Sequence, residues 1–421
     1  MPTLVPVMAL AQVVRRSAGR VVTYDVFPEF SIKVRAFVLS PLGILLLATG
    51  VAILCGFVLH PRVFALAGGL VAVMAAGICW PWITARGVRA TLGFEQRRVS
   101  EGEHVSVSMT VSNHLPWPAW GLTTTGGFES KSIDALLRLG SIPTRARLLT
   151  RYQLMIPLRG EYPVGPVHIA TGFPFGIREA RRGVAVSSRV IVWPRTFPVG
   201  PVPVTDGDEV VEGNVTRNKV GSTGDVLGVR PYRRGDSPRR IHWTQSARHD
   251  RLIVCELQSN SRPVVLLVLD ADSTIHTAGA EGTSEWAIRV VASLAKGWLE
   301  AGAQVGIATS GLFLPPASGL VQSTRILDAL ARLNTDTGVS LPELLKSPVV
   351  VASRSATRVV VTTDRHAKLP EIGSYRSVVL QSAGFGGSRH SSSFTPWLSI
   401  PNPESIPHRL RYGWSEARHG S

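Results

Sequence analysis

The chain has 421 residues, with 45 Lys and Arg against 29 Asp and Glu, which gives a formal net charge of +16. Its hydrophobic fraction of 44% and its mean hydropathy of +0.17 exclude a wholly disordered chain and direct attention to membrane segments. The three cysteines form no C-x-x-C pair, which argues against a disulfide-stapled secreted domain and against a structural zinc site.

Two apolar segments near the N-terminus predict a hairpin of transmembrane helices over residues 37–83. Residues 37–59 and 63–83 contain no Asp, Glu, Lys or Arg, and as helices both are long enough to cross a hydrocarbon core of about 30 Å. Basic residues flank the pair on both sides, so the positive-inside rule places both chain termini in the cytoplasm. We expect an anchor in the cytoplasmic membrane, with residues 1–36 as a cytoplasmic segment. A cleaved signal peptide and a buried pair of core helices are the alternatives.

A small β-sandwich is predicted for residues 84–200. Residues 105–111 alternate between apolar and polar side chains, as do residues 152–156, and this period of two is typical of half-buried strands. Short strands separated by turns that contain Gly and Pro favour a sandwich. Residues 201–223 show little apolar periodicity and predict a loop, which opens a linker and arginine-rich region over residues 201–260.

Strands alternate with helices between residues 261 and 385, which predicts an α/β domain with a mostly parallel sheet. Asp270 directly follows the first strand and Asp364 follows a later one. Such sheets bind ligands at the carboxyl ends of their strands, so both carboxylates are candidates for a site. Residues 386–421 are rich in Ser, Gly, Pro and His and predict a flexible tail. The predicted strands are 264–269, 305–308, 358–361 and 377–380, and the predicted helices are 284–301 and 323–333.

The densest group of arginines lies just before the α/β domain. We expect a structural role, in which Gly235-Asp236 forms a tight turn, arginines donate forked hydrogen bonds to carboxylates, and Trp243 fills a core gap between domains. A nucleic-acid patch is an alternative that the interspersed acids disfavour, and contact with anionic lipid is another. The motif residues are Tyr232, Gly235, Asp236, Arg239, Arg240, Trp243, Ala247, Arg248 and Glu256.

This motif resembles the signature of the domain-of-unknown-function 58 family, and the resemblance extends over residues 37–385. It implies a von Willebrand factor A-like fold for the last domain and an association with MoxR-type AAA+ ATPases. Phe173, His242 and Thr244 depart from the residues that are common in the family at these positions. Other segments that agree with the family are Arg159-Gly160-Glu161-Tyr162, Phe173-Pro174-Phe175-Gly176 and Val192-Trp193-Pro194-Arg195.

The likeness to von Willebrand A domains also implies a metal site for Mg²⁺ or Mn²⁺. In those domains a D-x-S-x-S sequence, together with a Thr and an Asp from later loops, supplies the oxygen ligands that hard cations need. Here Asp270 and Thr274 match the sequence, Asp272 replaces a Ser, and Asp364 supplies the outer carboxylate. The alternative is a degenerate site in which Asp270 only caps a loop or helix.

Motifs for P-loop, serine-hydrolase and zincin chemistry are absent from the sequence, which favours a non-enzymatic protein. We therefore expect a membrane-anchored adaptor whose cytoplasmic von Willebrand A-like domain binds protein partners and not nucleic acid. The resemblance implies that the partner is a MoxR-type AAA+ ATPase. One alternative is a metal-assisted hydrolase that uses Asp270, Asp272 and Asp364. The other is a purely architectural protein of the cell envelope.

Overall fold

A computed structural model describes most of the chain after residue 36, and the predicted cytoplasmic segment 1–36 lies outside the described residues. The described ranges are 37–128, 138–202, 208–211, 214–233, 236–277, 279–334, 339–353, 356–366, 375–388, 390 and 395–416. The helices are α1 (Pro41–Val58), α2 (Val63–Gly87), α3 (Trp243–His249), α4 (Thr283–Glu300), α5 (Leu320–Arg332), α6 (Leu341–Lys346), α7 (Pro348–Ala352) and α8 (Ile406–Glu416).

Twenty strands accompany these helices within the described ranges. They are β1 (Val88–Phe94), β2 (Arg98–Ser100), β3 (His104–Asn113), β4 (Ala119–Thr125), β5 (Arg138–Ile142), β6 (Arg147–Met155), β7 (Gly160–Tyr162), β8 (His168–Thr171), β9 (Ala180–Gly183), β10 (Ala185–Val186), β11 (Val190–Trp193), β12 (Asp208–Val211), β13 (Asn214–Pro231), β14 (Ile253–Ser261), β15 (Val264–Leu269), β16 (Gln304–Thr309), β17 (Leu312–Ala317), β18 (Thr357–Thr363), β19 (Arg376–Leu380) and β20 (Leu398–Ile400).

The chain divides into two compact units, each built from several segments. The first unit comprises Met1–Gly93, Val107–Tyr152 and Pro163–Ser188, and the second comprises Phe94–Ser106, Gln153–Tyr162 and Arg189–Ser421. The predicted boundary at residue 200 is therefore not where the chain divides. Three segments of the predicted β-domain belong to the same unit as the α/β domain.

Two apolar helices begin the first unit. Helix α1 starts where Ser40 accepts a hydrogen bond from the Gly43 amide at 3.1 Å and Pro41 occupies the first turn. Both helices are long and apolar enough to cross a membrane, with mean hydropathy of 2.3 for α1 and 2.2 for α2. Only 22% and 11% of these windows are buried, so the helices are not core helices within this structure.

The rest of the first unit is a pair of small sheets. One has the strand order β10-β1-β3-β6 and the other β5-β4-β8-β9. Strand β3 has the predicted alternation, since Val107, Met109 and Val111 are fully buried and the residues between them are partly exposed. Thr124 of the second sheet lies 3.7 Å from the sulfur of Met109, as expected of a small sandwich. Helix α2 runs into β1 without a linker, because β1 begins at the residue after Gly87.

A six-stranded sheet forms the centre of the second unit, with the order β17-β16-β15-β18-β19-β20. Its strands are parallel except for the edge strand β17, which pairs antiparallel with β16. The pairing shifts register along β17, which contains Pro315 and Pro316. This architecture confirms the predicted mixed α/β domain, and each of its predicted strands and helices is present with boundaries that differ by a few residues.

Both faces of this sheet are covered, because alternate side chains of each strand point to opposite sides. Val265, Leu267 and Leu269 of β15 pack with α4, α5 and α8. Leu266 and Val268 pack on the other side with α6 and α7. Strands buried on both faces read as continuous apolar runs, which is why the sequence identified β15 and β18 directly.

The predicted flexible tail over residues 386–421 is wrong for residues 398–416. Strand β20 adds to the sheet by pairing in parallel with β19. Helix α8 buries Ile406, Leu410 and Trp414, which recur every four residues and so lie on one helix face. The abundance of Ser, Gly, Pro and His around these three apolar residues hid their period.

The predicted loop over residues 201–223 is also wrong for the part that the structure describes. Strand β12 pairs antiparallel with β13, and β13 pairs antiparallel with β14. The register between β13 and β14 shifts at three places, which are irregularities that a search for alternating apolar residues does not find.

Candidate functional site

The two predicted aspartates lie together at the carboxyl edge of the sheet in the second unit. Asp270 directly follows β15 and Asp364 directly follows β18, and these two strands are parallel neighbours. Both side chains are buried, with Asp270 only 1% exposed and Asp364 6% exposed. A buried carboxylate needs hydrogen-bond donors, so the partners of each oxygen determine what the edge can bind.

The carboxylate of Asp270 is held by donors from the end of β18 and the loop after it. Thr362 Oγ1 donates to Asp270 Oδ2 at 2.9 Å, and His366 Nε2 lies 2.8 Å from the same oxygen. On the other side of the residue, His276 Nε2 lies 2.8 Å from the main-chain oxygen of Asp270. Burial lowers the pKa of His276, which favours its neutral form.

The other predicted ligands are engaged in local hydrogen bonds. Asp272 Oδ1 accepts from the amide of Thr274 at 2.9 Å and from its hydroxyl at 2.8 Å. Asp364 Oδ1 accepts from the amide of Ser382 at 2.9 Å and from its hydroxyl at 2.5 Å. The hydroxyl of Thr274, which the resemblance assigns to a cation, therefore donates a hydrogen bond to the carboxylate of Asp272.

These residues do not fit a divalent cation in this arrangement. A hard cation needs several oxygens that converge on one point, whereas Asp270 Oδ2, Asp272 Oδ1 and Asp364 Oδ1 each face protein donors. In the part of the chain that the structure describes, no group of three or more His, Cys, Asp or Glu side chains is placed to hold a metal ion. The metal site stays a prediction.

Sequence reasoning missed three residues of this edge, His366, Thr362 and Ser382. Each follows or ends a strand that was predicted, so the rule that pointed to Asp270 and Asp364 applied to them as well. His366 was passed over because a loop histidine is usually a surface residue. Its contact with Asp270 depends on the pairing of β15 with β18, which one sequence does not reveal.

The arginine-rich motif begins with a tight turn after β13. Arg230 donates both guanidinium nitrogens to the carboxylate of Asp236, at 2.7 and 2.8 Å, and the amide of Arg233 donates to the same carboxylate at 2.8 Å. These donors, Arg230 first, lower the pKa of Asp236 to about 2. The predicted fork to Asp236 therefore exists, but it comes from Arg230, which the prediction did not include. Gly235 lies outside the described residues.

Helix α3 follows this turn, and its buried contact is Ser246. The Ser246 hydroxyl donates to the carbonyl of His242 at 2.9 Å and accepts from the amide of Ile253, also at 2.9 Å. The main chain of Tyr232 joins the same region through a 2.8 Å bond from its amide to the carbonyl of Leu252. These bonds fix α3 beside the start of β14.

Trp243 does not fill a core gap, which corrects the prediction, because 67% of it is exposed. It lies four residues before Ala247 and therefore on the same helix face. Ala247 and Arg248 are exposed too, and so is Arg239 just before the helix, while Arg240 is half-buried. We call Trp243, Ala247 and Arg248 the α3 surface. The side chain of Glu256 lies outside the described residues, although its backbone pairs with Gly228.

A second charged region in this unit is buried, and the sequence did not predict it. Arg289 Nε donates to Glu101 Oε2 at 2.8 Å, and the two side chains are 6% and 4% exposed. The Glu101 carboxylate also accepts the amides of Arg159 at 2.9 Å and Arg195 at 3.0 Å. We call Glu101, Arg159, Glu285 and Arg289 the buried ion-pair cluster.

Arg159 connects this cluster to the end of helix α5. Its Nη1 donates to the carbonyls of Leu330 at 3.0 Å and Leu333 at 2.9 Å, and its Nη2 donates to Glu285 at 2.9 Å. The last carbonyls of a helix lack intrahelical partners, so an arginine there satisfies them and complements the helix dipole. The Arg-Gly-Glu-Tyr and Val-Trp-Pro-Arg segments thus serve the architecture of the second unit.

One known family resembles the central part of the chain. Residues 228–380 match the model of the family described as "Protein of unknown function DUF58", which confirms the resemblance inferred from the arginine-rich motif. The matched residues run from the end of β13 to the end of β19, so they include the α3 surface and both aspartates of the sheet edge. The search of curated proteins gave no match.

Two solved structures show weak likenesses to the chain. The alkylpurine DNA glycosylase AlkC of Pseudomonas fluorescens, bound to DNA with an abasic site analog, is 16% identical over 27% of this chain and 33% of its own, with a TM-score of 0.17. A GH20 exo-β-N-acetylglucosaminidase from Vibrio harveyi is 8% identical over 66% of this chain and 57% of its own, also with a TM-score of 0.17. The chain spans less than two thirds of either protein, and neither likeness informs its fold or function.

Proposed function

Because residues 228–380 carry a DUF58 domain, we propose that the protein is a membrane-anchored, non-enzymatic adaptor that binds a protein partner through its α3 surface. The observation that carries the proposal is the exposure of Trp243 inside the matched segment. Trp and Arg are enriched among the few residues that dominate the binding energy of protein interfaces, and Trp243, Arg239 and Arg248 are all exposed in one short segment.

The anchor is the hairpin of α1 and α2. Large apolar side chains such as Leu47, Leu54 and Phe57 are 63%, 64% and 78% exposed. Exposure of this apolar surface to water is unfavourable, and lipid would cover it. The contacts between the helices involve small residues, as in membrane helix pairs, since Gly56 lies directly against the ring of Phe64. Basic residues on both flanks orient both termini toward the cytoplasm.

The partner is, by the family resemblance, a MoxR-type AAA+ ATPase. Arginine forks pair best with carboxylates and an indole needs an apolar pocket, so the partner surface should combine acidic side chains with an apolar depression. The mostly parallel sheet, covered on both faces, agrees with the von Willebrand A-like fold that the resemblance implies. The adaptor would bring the ATPase to the membrane.

The adaptor is favoured over the hydrolase by the state of the acidic residues. A metal-assisted hydrolase needs carboxylates free to bind a cation or a water molecule. Asp270, Asp272 and Asp364 instead accept internal hydrogen bonds from Thr362, Thr274 and Ser382. We therefore propose that binding needs neither a metal ion nor turnover.

The test is an affinity purification of the tagged full-length protein from native membranes. Wild type, Trp243→Ala and Tyr412→Ala are compared with Mg²⁺ and with EDTA, and the ATPase is identified by mass spectrometry. Tyr412 is the matched control, because it is an aromatic side chain of the same unit that is 51% exposed and lies outside the matched segment. The proposal expects the ATPase with wild type and Tyr412→Ala, and its loss with Trp243→Ala.

Each other outcome overturns a stated part. Equal recovery with Trp243→Ala means that the α3 surface is not the docking site. Loss of the ATPase in EDTA alone means that binding needs a cation, and Asp270→Ala then tests the predicted ligands. Absence of the ATPase from every sample removes the adaptor and favours a purely architectural protein.

A further inference from the structure

A cavity of about 630 Å³ lies in the first unit, between the last turns of α2 and the start of β9. Its volume is within the range of about 300–1,000 Å³ that is usual for sites that bind small molecules or headgroups. One wall is a single face of α2, because residues 78, 79, 82, 85 and 86 recur at helical spacing. The opposite wall is the segment 178–182.

The cavity carries a net positive charge. Four arginines line it, namely Arg86, Arg178, Arg181 and Arg182, against one acid, Glu179. Glu179 pairs with Arg181 at 3.0 Å. Among the residues that the structure describes, no carboxylate pairs with the other three arginines. An anion would therefore meet three guanidinium groups that lack a counter-charge.

Two of these arginines are held in place by the end of α2. Arg182 Nη1 donates to the carbonyl of Ala85 at 3.3 Å and also to the carbonyl of Arg86. The guanidinium carbon of Arg86 lies 3.5 Å from the centre of the Trp82 ring, which is a cation–π contact. A site whose donors are already positioned pays less entropy when an anion binds.

The cavity lies where the headgroups of the cytoplasmic leaflet would be. If α1 and the first 18 residues of α2 cross the hydrocarbon together, α2 leaves it near Trp80 and Trp82. Arg86 follows Trp82 by about 6 Å along the helix. The headgroup layer on each side of a bilayer is about 5–8 Å thick, so the arginines stand at its depth.

A loop with exposed aromatic side chains contacts α2 close to the predicted membrane interface. Ile177 packs closely against Gly77 of α2, since a Cβ at that position would lie 2.4 Å from Ile177 Cδ1. The loop that contains Ile177 therefore contacts α2 about one helical turn before Trp80. It exposes 37% of Phe173 and 51% of Phe175, and aromatic side chains at this depth are typical of the membrane interface.

We propose that this cavity binds the phosphate of an anionic phospholipid headgroup, with Arg86, Arg178 and Arg182 as donors and with Ile78, Cys79 and Trp82 beside the upper acyl chains. The proposal rests on the membrane anchor of the proposed function. Phosphate is the chemistry that the site recognises, and a soluble phosphate is the other source of it. The apolar wall on α2 favours the lipid.

The experiment uses the full chain in lipid nanodiscs. Native mass spectrometry identifies the phospholipid that stays bound after the protein is released from the nanodisc. Nanodiscs contain equal amounts of phosphatidylglycerol and phosphatidylcholine. The site variant is Arg86→Gln/Arg178→Gln, and the control is Arg89→Gln/Arg147→Gln, which makes the same charge change at exposed residues outside the cavity. A third arm offers inorganic phosphate to the wild type in phosphatidylcholine alone.

Wild type and control are expected to retain phosphatidylglycerol preferentially. One arginine near an anionic surface contributes about fivefold to binding, so the site variant should lose roughly 25-fold of this preference. An equal preference in the site variant overturns the proposal, and so does an equal loss in both double variants. Binding of inorganic phosphate at millimolar concentration in the third arm, without preference for phosphatidylglycerol, assigns the cavity to a soluble anion instead.

The anchor is tested separately on native membranes from cells that produce the wild type or either double variant. Carbonate extraction reports whether wild type and both variants remain in the membrane. Release of the wild type by carbonate overturns the anchor and the lipid site together. Retention of all three proteins without a lipid preference overturns only the lipid site.

Discussion

Two arginine-rich regions of the second unit differ in what their charges contact. In the buried ion-pair cluster, the Arg289 side chain is 6% exposed and pairs with the carboxylate of Glu101, which is 4% exposed. In the arginine-rich motif, Arg239 and Arg248 are exposed, and Trp243 in the same segment is 67% exposed. The arginine side chain is thus paired within the fold in one region and exposed to solvent in the other. Burial distinguishes the two roles, and the sequence alone does not give it.

The buried cluster should be the most sensitive point of the unit. Glu101→Ala removes the partner of Arg289 and leaves two backbone amides without an acceptor. Loss of one partner of a buried ion pair costs about 3–5 kcal/mol, so the free energy of unfolding should fall by that amount. Chemical unfolding of the purified full-length protein, followed by tryptophan fluorescence, measures it.

Glu161→Ala is the matched control for this change. Glu161 pairs with Arg332 at 2.9 Å and Arg189 at 3.3 Å, and these arginines are 51% and 64% exposed. Exposed pairs contribute about 0–1 kcal/mol, so this variant should unfold almost like the wild type. Equal destabilisation by both variants would contradict the distinction between buried and exposed pairs.

The next largest effect is expected for Arg159→Lys. Lysine keeps the charge but cannot reach both the carbonyls at the end of α5 and the carboxylate of Glu285, as the guanidinium does. Hydrogen bonds to charged groups contribute about 1.5–3 kcal/mol each, and we expect a loss of that size in the unfolding experiment. Arg332→Lys, at an exposed pair, serves as the control and should change stability by less than about 1 kcal/mol.

The α3 surface should contribute little to stability. Trp243→Ala and Arg248→Ala remove exposed side chains, and exposed substitutions usually change the free energy of unfolding by less than about 0.5 kcal/mol. Unfolding of the two variants in the same assay measures this. A loss of 2 kcal/mol or more for Trp243→Ala would mean that the indole is buried, and the motif would then be structural as the sequence first suggested.

The smallest expected effect concerns the titration of Asp236 in the arginine-rich motif. The pKa of Asp236 is lowered to about 2, from a usual value near 4. The contribution of its pair with Arg230 is therefore complete above about pH 4 and is lost only as the pH falls through about 2. Carbon NMR of the Asp carboxyl groups, assigned with Asp236→Asn, should give a midpoint near 2. Arg230→Ala should raise that midpoint, and Arg239→Ala should leave it unchanged.

Much of this architecture was predictable because it follows from periodicity. Residues 105–111 and 264–269 gave strands from their apolar pattern, and residues 284–301 gave a helix. The two aspartates were placed at the sheet edge by the rule for parallel strands. Each of these inferences depends on local order along the chain, which a sequence contains.

What failed depends on contacts between distant segments. Glu101 and Arg289 are 188 positions apart, and neither stands in a recognisable motif. His366 reaches Asp270 only through strand pairing. Trp243 was predicted to fill a core gap between domains, and its exposure is a property of where α3 lies. Pairing and burial come from the whole fold.

The two outer strands of the six-stranded sheet determine whether the sheet can pair with that of a second copy. A sheet edge with free amides and carbonyls can join the edge of a second copy, and proteins confined to a membrane plane meet their own copies often. Here β17 carries Pro315 and Pro316, which lack amide hydrogens, and β20 is only three residues long. Neither edge of this sheet offers a long template, so the six-stranded sheet is protected against joining the same sheet of a second copy.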